Sequence, residues 1–158
     1  MTDPPRPLAS GVELRSPAFN DGAFIPDRYA KGRENVSPPL EWTHVPDGAR
    51  ELVLLCEDPD APGGTFVHWV LTGIRPDATG APEGEPPEGA NAGVNDFGQV
   101  GWGGPHPPVG DEPHRYFFRL YATDRPLELG GAVHADAVRA ALEGHVIDTG
   151  TLVGRFGR

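Results

Sequence analysis

The 158-residue chain contains one cysteine, Cys56, and only three serines, Ser10, Ser16 and Ser37. A single cysteine excludes an internal disulfide, so nothing marks a secreted, cross-linked scaffold. At this length a hydrophobic core forms without such staples. None of the serines lies in a Gly-x-Ser-x-Gly turn, and Ser37 is wedged before Pro38 and Pro39, so an activated serine is not expected. Cys56 closes the apolar run Leu52–Cys56, where a thiol is usually inert packing. Positive charge is also scarce: 13 Lys and Arg stand against 23 Asp and Glu, a formal net charge of −10. That balance excludes a nucleic-acid surface, which needs clustered cations to release phosphate counterions. It leaves no polybasic cluster for an anionic membrane either. A local pocket can still hold a phosphate, because salt screens whole-protein repulsion over about 10 Å.

Long apolar runs are missing as well, none approaching the ~20 residues needed to span a bilayer. Met1–Ser10 is Pro-rich without the apolar centre of a signal peptide, so a flexible tail and a cytoplasmic protein are expected. The glycines form neither a dinucleotide-binding nor a P-loop fingerprint, and no cofactor is expected.

What is abundant is turn chemistry: 22 Gly and 19 Pro, without a fixed period, interleaved with apolar runs. This pattern indicates a loop-rich, mainly β fold, with residues 11–158 as one domain. Val12–Ser16 alternates as a half-buried strand does, and Leu52–Cys56 reads as a buried strand emptying into the turn-rich Asp58–Gly64. In the next strand, Phe66–Thr72, alternation puts Phe66, His68 and Val70 on one face and Val67, Trp69 and Leu71 on the other. Ala78–Ala92, rich in Gly, Pro and Glu, reads as a long exposed acidic loop. The strongest strand signal runs from Arg115 to Ala122, with His114, Tyr116, Phe118 and Leu120 on a shared face. One helix is predicted between Ala135 and Glu143, stopped by Gly144, and Thr151–Phe156 closes the fold as a last strand.

Chemistry-bearing residues gather at two loop-to-strand junctions. One holds Asp58 and Asp60, followed by His68; the other holds Gly104–Gly110, followed by His114 and Tyr116. Each has a plainer explanation, since the Asp-Pro-Asp carboxylates suit turn hydrogen bonds and a lone strand histidine often serves the core. A metal site from Asp58, Asp60, His68, His106 and His114 is chemically sound, yet the spacings match no zinc motif.

Taken in order, the segments become specific. Asn35-Val-Ser-Pro-Pro-Leu-Glu-Trp42, Asp58-Pro-Asp-Ala-Pro62, His68-Trp69, Asn95-Asp-Phe-Gly98, Gly103-Gly-Pro-His-Pro-Pro-Val-Gly110 and His114-Arg-Tyr116 follow one another along the chain. Together they resemble the signature series of the phosphatidylethanolamine-binding protein family, in its bacterial Raf-kinase-inhibitor-like branch. The resemblance runs from about Val12 to Phe156. It implies a β-sandwich with a central antiparallel sheet, a smaller second sheet and one or two short helices. It also implies a pocket for phosphate or a phosphorylated head group, a cis peptide at Ala61-Pro62, and a homodimer as an option.

Carried over by motif, the ligand-binding residues are Asp58, Asp60, His68, Gly104, Pro105, His106, Pro107, Gly110, His114 and Tyr116. Imidazoles, a phenol and loop N–H groups can donate to phosphate oxygens, while the aspartates orient the histidines or meet an ammonium. His106 stands where the branch usually has cysteine, and Trp102 where it commonly has tyrosine. The expected function is small-anion binding without catalysis, with an unidentified protein partner as an option. Two alternatives stay open: a hydrolase or metal-dependent enzyme using the same Asp/His cluster, and a pure inhibitor module acting through protein contacts.

Overall fold

Strands of alternating and continuous apolar character build two antiparallel sheets in the computed structural model, which describes residues 11–158. The expected flexible tail, residues 1–10, lies outside the described residues. The smaller sheet has the order β1 (Glu13–Arg15), β2 (Leu40–Thr43), β5 (Gly80–Ala81). The larger has the order β6 (Asn91–Ala92), β4 (Phe66–Ile74), β3 (Glu51–Asp58), β7 (His114–Thr123), β8 (Val146–Phe156). A single α-helix, α1 (Ala135–Leu142), and a 3-10 turn, Asp27–Tyr29, complete the described structure.

The continuous apolar run of β3 follows from its place at the middle of the larger sheet, covered on both faces. Leu52, Leu54 and Cys56 enter the main core between the sheets, with Trp42, Phe118 and Leu120. Val53 and Leu55 face the other way, into a smaller core closed by Val138 and Leu142 of α1. Ala135, Val138 and Leu142 are the buried stripe of that helix, and Gly144 (φ +79°) turns the chain after its end, as expected.

Strict alternation fails in β4, and the failure shapes the site. Cys56 of β3 pairs with Trp69, but Glu57 pairs with Val67, so His68 is an extra residue in the ladder. A bulge of this kind brings two neighbouring side chains to one side. Trp69 and Leu71 therefore belong to the main core, and Val67 and Val70 to the helix-side core. The expected partition, with Trp69 opposite His68, is corrected: His68 sits on the main-core side, against Tyr116. A second irregularity, between Leu52 and Leu54, falls opposite Gly73, whose positive φ of +64° relieves it.

The Ala78–Ala92 segment is also more ordered than its composition suggests. Its ends form β5 and β6, Ala81 and Pro87 are buried, and the Glu83 carboxylate accepts a 2.5 Å hydrogen bond from the Tyr29 hydroxyl. Two-residue strands are too short to leave a periodic signal, which is why the segment reads as loop.

Gly154 of β8 lies beside Tyr116 in the ladder, and Ile25 and Phe19 pack onto it so closely that a Cβ would meet Ile25 at 2.5 Å. Gly154→Ala is expected to lower stability by about 1–3 kcal/mol through overpacking, read as a shift in the urea unfolding midpoint at unchanged slope.

Candidate functional site

Asp58 ends β3, His68 sits on the β4 bulge, and His114 and Tyr116 begin β7, so pairing of three strands brings them to one end of the central sheet. They line a cavity of about 220 Å³ together with Ala61, Pro62, Phe66, Phe97, His106, Pro107 and Pro108. The wall is mostly apolar with a few convergent polar groups, the usual make-up of a small-ligand site. Its size admits only a small group.

The two buried histidines are held in opposite states. His114, 4% exposed, donates from Nδ1 to Asp58 Oδ2 (2.7 Å) and lies 3.1 Å from Asp111 Oδ2 through Nε2. Burial by itself would lower the pKa of His114, but hydrogen bonds and charge from both carboxylates outweigh it and raise the pKa. His68, 3% exposed, donates from Nδ1 to the Gly103 carbonyl at 2.6 Å, since a carbonyl can only accept. Burial lowers its pKa, with the Gly103 bond and Asp58 opposing. With a carboxylate oxygen on each ring nitrogen, His114 is biased toward the imidazolium form. His68 is a neutral ring whose Nε2 is an acceptor.

Between them stands Tyr116, fully buried, its hydroxyl without a hydrogen-bond partner among the described residues. Burial raises its pKa, so it remains a protonated donor. The His68 ring packs against the Tyr116 ring edge-on at 5.1 Å and against Phe66 and Phe97 at 4.9 and 5.6 Å. These aromatic contacts fix the rings in place while leaving the polar edges for a ligand.

Asp58 serves both roles considered for it. One oxygen accepts the Asp60 N–H at 2.7 Å, an aspartate turn, while the other holds His114. Asp60 is turned away from the cavity wall: its carboxylate takes the Arg115 backbone N–H and guanidinium at 2.8–2.9 Å. Those Arg115 bonds hold its pKa down at about 2. The turn that follows is closed by the Gly64 N–H on the Ala61 carbonyl, at 3.0 Å. Pro62 thus occupies the second turn position, which trans proline suits. The expected cis peptide at Ala61-Pro62 is corrected; no cis bond occurs among the described residues.

The Gly104–Gly110 loop contributes side chains at one end and scaffolding at the other. His106, exposed, and Pro107, buried, reach the cavity wall. Gly104 and Pro105 lie behind it, the Gly104 N–H on Asn35 Oδ1 (2.8 Å) and the Pro105 carbonyl on the Lys31 N–H (3.1 Å). Only glycine fits at 104, because a Cβ there would meet the Tyr29 carbonyl oxygen. Gly110 turns the loop at φ +90° and donates to the Arg158 carbonyl. Trp102, the other departure from the branch pattern, stacks on Phe118 and donates to the Tyr29 carbonyl, so it is a core residue.

Phe66, Phe97 and Asp111 join or clamp the site without having been singled out from the sequence. Phe97 had a signal, since it lies in the Asn95–Gly98 motif. Asn95 side-chain bonds to Phe97, Gln99 and Gly101 fold that loop and present the ring. Among the described residues no three His, Cys, Asp or Glu side chains converge as a metal site would require.

A two-sheet β fold with a histidine–carboxylate cavity at one end of its central sheet defines the structural class. The sequence model described as phosphatidylethanolamine-binding protein matches residues 15–157, and the chain belongs to that family. The UPF0098 protein of Methanothermobacter thermautotrophicus is 46% identical over 152 residues, spanning 93% of this chain and 99% of its own. A Mycobacterium tuberculosis relative that carries a lipoprotein name, LppC, is 40% identical over 95% of this chain and 75% of its own. YbcL of E. coli superposes with a TM-score of 0.88 at 28% identity, over 94% of this chain and 99% of its own. The Chlamydia trachomatis homologue CT736 gives 0.87 at 35% identity, over 95% and 99%. Archaeal relatives stand beside bacterial ones, so the similarity is not confined to a bacterial branch.

The unpartnered Tyr116 hydroxyl generates a test. A buried donor without a partner costs about 1–3 kcal/mol, so Tyr116→Phe is expected to unfold at equal or higher urea concentration than the parent.

Proposed function

We propose that the protein binds phosphate or a small phosphorylated head group, such as phosphoethanolamine, in this cavity, and that it does so without chemical turnover in the cytoplasm. The observation that carries the reading is the grouping of a carboxylate-held His114, a neutral buried His68 and a free Tyr116 hydroxyl around one small apolar chamber. Tyr116 donates to a phosphate oxygen, and His68 Nε2 accepts from a phosphate O–H or, once protonated, donates to an oxygen. An ammonium group on the ligand would meet Asp58 or Asp111. Head-group binding also agrees with the family name.

The absence of turnover rests on the candidate nucleophiles. Burial pushes the Cys56 thiol well above its ordinary pKa, with Glu57 and Asp58 adding to the effect. Ser37 is buried and immediately precedes two prolines. The lipoprotein name of the mycobacterial relative makes a membrane surface the alternative location.

Asp111 is the internal competitor. Its carboxylate, about two-fifths exposed, sits on the outer nitrogen of His114, where an anionic ligand would otherwise lie. An incoming phosphate must displace it or bind beside it against like charge. Asp111→Asn is therefore expected to tighten phosphate binding by on the order of tenfold, the worth of about one pKa unit of charge interaction; weaker binding would instead make Asp111 a contact of the ligand.

The pH dependence has a definite sign. The folded-state pKa of His68 is depressed, so protonating it becomes possible only as pH falls below its ordinary 6.5. Phosphate also gains its own proton on the way down. Both changes supply the proton missing between Nε2 and the ligand, so affinity is expected to rise from pH 8 to pH 5.5, and His68→Gln to flatten the profile. Titration calorimetry that is flat across this range in the parent protein would sink the histidine-based site.

A further inference from the structure

Cations are few in this chain, and their distribution is uneven. Arg15, Arg28, Arg75, Arg115, Arg119 and Arg139 each have a carboxylate partner within 3.4 Å. Lys31, Arg50, Arg125, Arg155 and Arg158 have none among the described residues, and Arg33 reaches Asp27 only at 3.7 Å with both side chains mostly exposed. Of these cations, Lys31, Arg33 and Arg158 border one cleft of about 340 Å³, lined also by Asp27, His106, Phe156 and Gly157. His106 is the shared wall, for it lines both this cleft and the histidine cavity.

The two spaces are joined by fixed contacts on both sides of His106. The Lys31 ammonium rests 4.4 Å from the centre of the Phe97 ring, itself a wall of the cavity, and the Lys31 N–H holds Pro105. Arg158 Nε donates to the Pro107 carbonyl at 2.7 Å, leaving the rest of its guanidinium without an acceptor among the described residues. The acidic side chain at the cleft is Asp27, loosely held by Arg33, while the Arg158 main-chain oxygen accepts from the Gly110 N–H. Cationic side chains thus outnumber acidic ones by three to one around it, against the trend of the whole molecule. Gly32 carries the chain between Lys31 and Arg33 at φ +92°, a left-handed turn conformation that glycine adopts without strain.

We propose that this cleft is a second anion subsite, and that the protein takes a small ligand carrying two phosphate groups, one in the histidine cavity and one between Lys31, Arg33 and Arg158. The inference rests on the head-group reading for its first half. Guanidinium and ammonium groups suit a phosphate that remains fully ionised, whereas the cavity, with a neutral imidazole and a phenol, suits one that is esterified or protonated. The two subsites are therefore chemically unlike and fix the direction of the ligand. His106 stands between them as a donor to either phosphate. A flat anionic membrane is the less suited occupant, because the chain as a whole carries a formal net charge of −10 and offers no polybasic cluster.

The test compares propyl phosphate with propanediol and hexanediol bisphosphates, phosphates on the terminal carbons, by titration calorimetry. At least one bisphosphate is expected to bind on the order of a hundredfold more tightly than propyl phosphate, as two linked contacts do. Arg33→Glu is expected to abolish that advantage while leaving propyl phosphate affinity unchanged, and Lys31→Gln to reduce it. Bisphosphates that bind no more tightly than propyl phosphate overturn the second subsite and leave the head-group reading standing. An advantage that survives Arg33→Glu overturns it as well. Failure of propyl phosphate to bind, with bisphosphate binding untouched by His68→Gln, overturns the head-group reading and with it the bridged ligand. Binding to phosphatidylglycerol vesicles without any bisphosphate preference overturns the inference in favour of a membrane surface.

Discussion

One extra residue in β4 determines where the site lies. With regular alternation, a β4 strand carrying Trp69 into the main core would send His68 to the helix side, among Val53, Leu55 and Val138. The bulge opposite Cys56–Glu57 lets Trp69 keep its core position and turns His68 to the same side, where it meets Tyr116 across the sheet. The cavity depends on that displacement. Gly103 then completes it, donating its N–H to the His68 carbonyl and accepting from the His68 ring, so strand and loop are tied at the same residue. A ladder irregularity, which weakens a sheet locally, is here compensated by two hydrogen bonds that also fix the tautomer of the ring.

The electrostatics follow from what each ring faces. Both histidines are buried to about the same degree, and burial drives both toward the neutral state. What separates them is the partner: two carboxylates for His114, a carbonyl for His68. The site thus presents an acceptor at one end and an already compensated cation at the other, a combination that disfavours a fully ionised phosphate and favours one carrying a proton or an ester. The aspartates, awkward in an anion pocket when viewed as bare charges, become intelligible as the groups that hold the sheet end together. Asp58 spans a turn and a histidine; Asp60 ties the same turn to Arg115 of β7.

The family, the mainly β class, the buried β3 run, the long β7 strand and the α1 stop at Gly144 were legible because each leaves a pattern over several residues. Motif order also placed Asp58, His68, His106, Pro107, His114 and Tyr116 around a common cavity. What was not legible depends on single residues or on distant pairing. A bulge changes the facing of one strand only against its partner, so the His68–Trp69 relation is invisible in β4 alone. Asp60 sits between two motif residues yet spends its carboxylate on Arg115, 55 positions away. Pro62 follows the trans geometry that its turn position favours. Phe66 and Asp111 carry no local mark of a site; they reach it because strand pairing and a short loop bring them there.

The same reasoning bears on how an acidic protein could hold the proposed anion. Long-range repulsion from the net charge of −10 is damped within about a Debye length, roughly 10 Å, at ordinary ionic strength. Within that distance the local census decides, and at this end of the sheet it differs from the average. Asp58 and Asp111 are paired with His114, Asp60 is paired with Arg115, and Glu83 is paired with Arg28 and bonded to Tyr29. The acidic groups just named thus already have counter-charges, while Lys31 and Arg158, in the adjoining cleft, have no carboxylate partner among the described residues. For the proposed ligand, an acidic surface would serve selectivity. It repels polyanions such as nucleic acid, whose many charges cannot all be placed within the small favourable region, and admits ligands small enough to bind inside it.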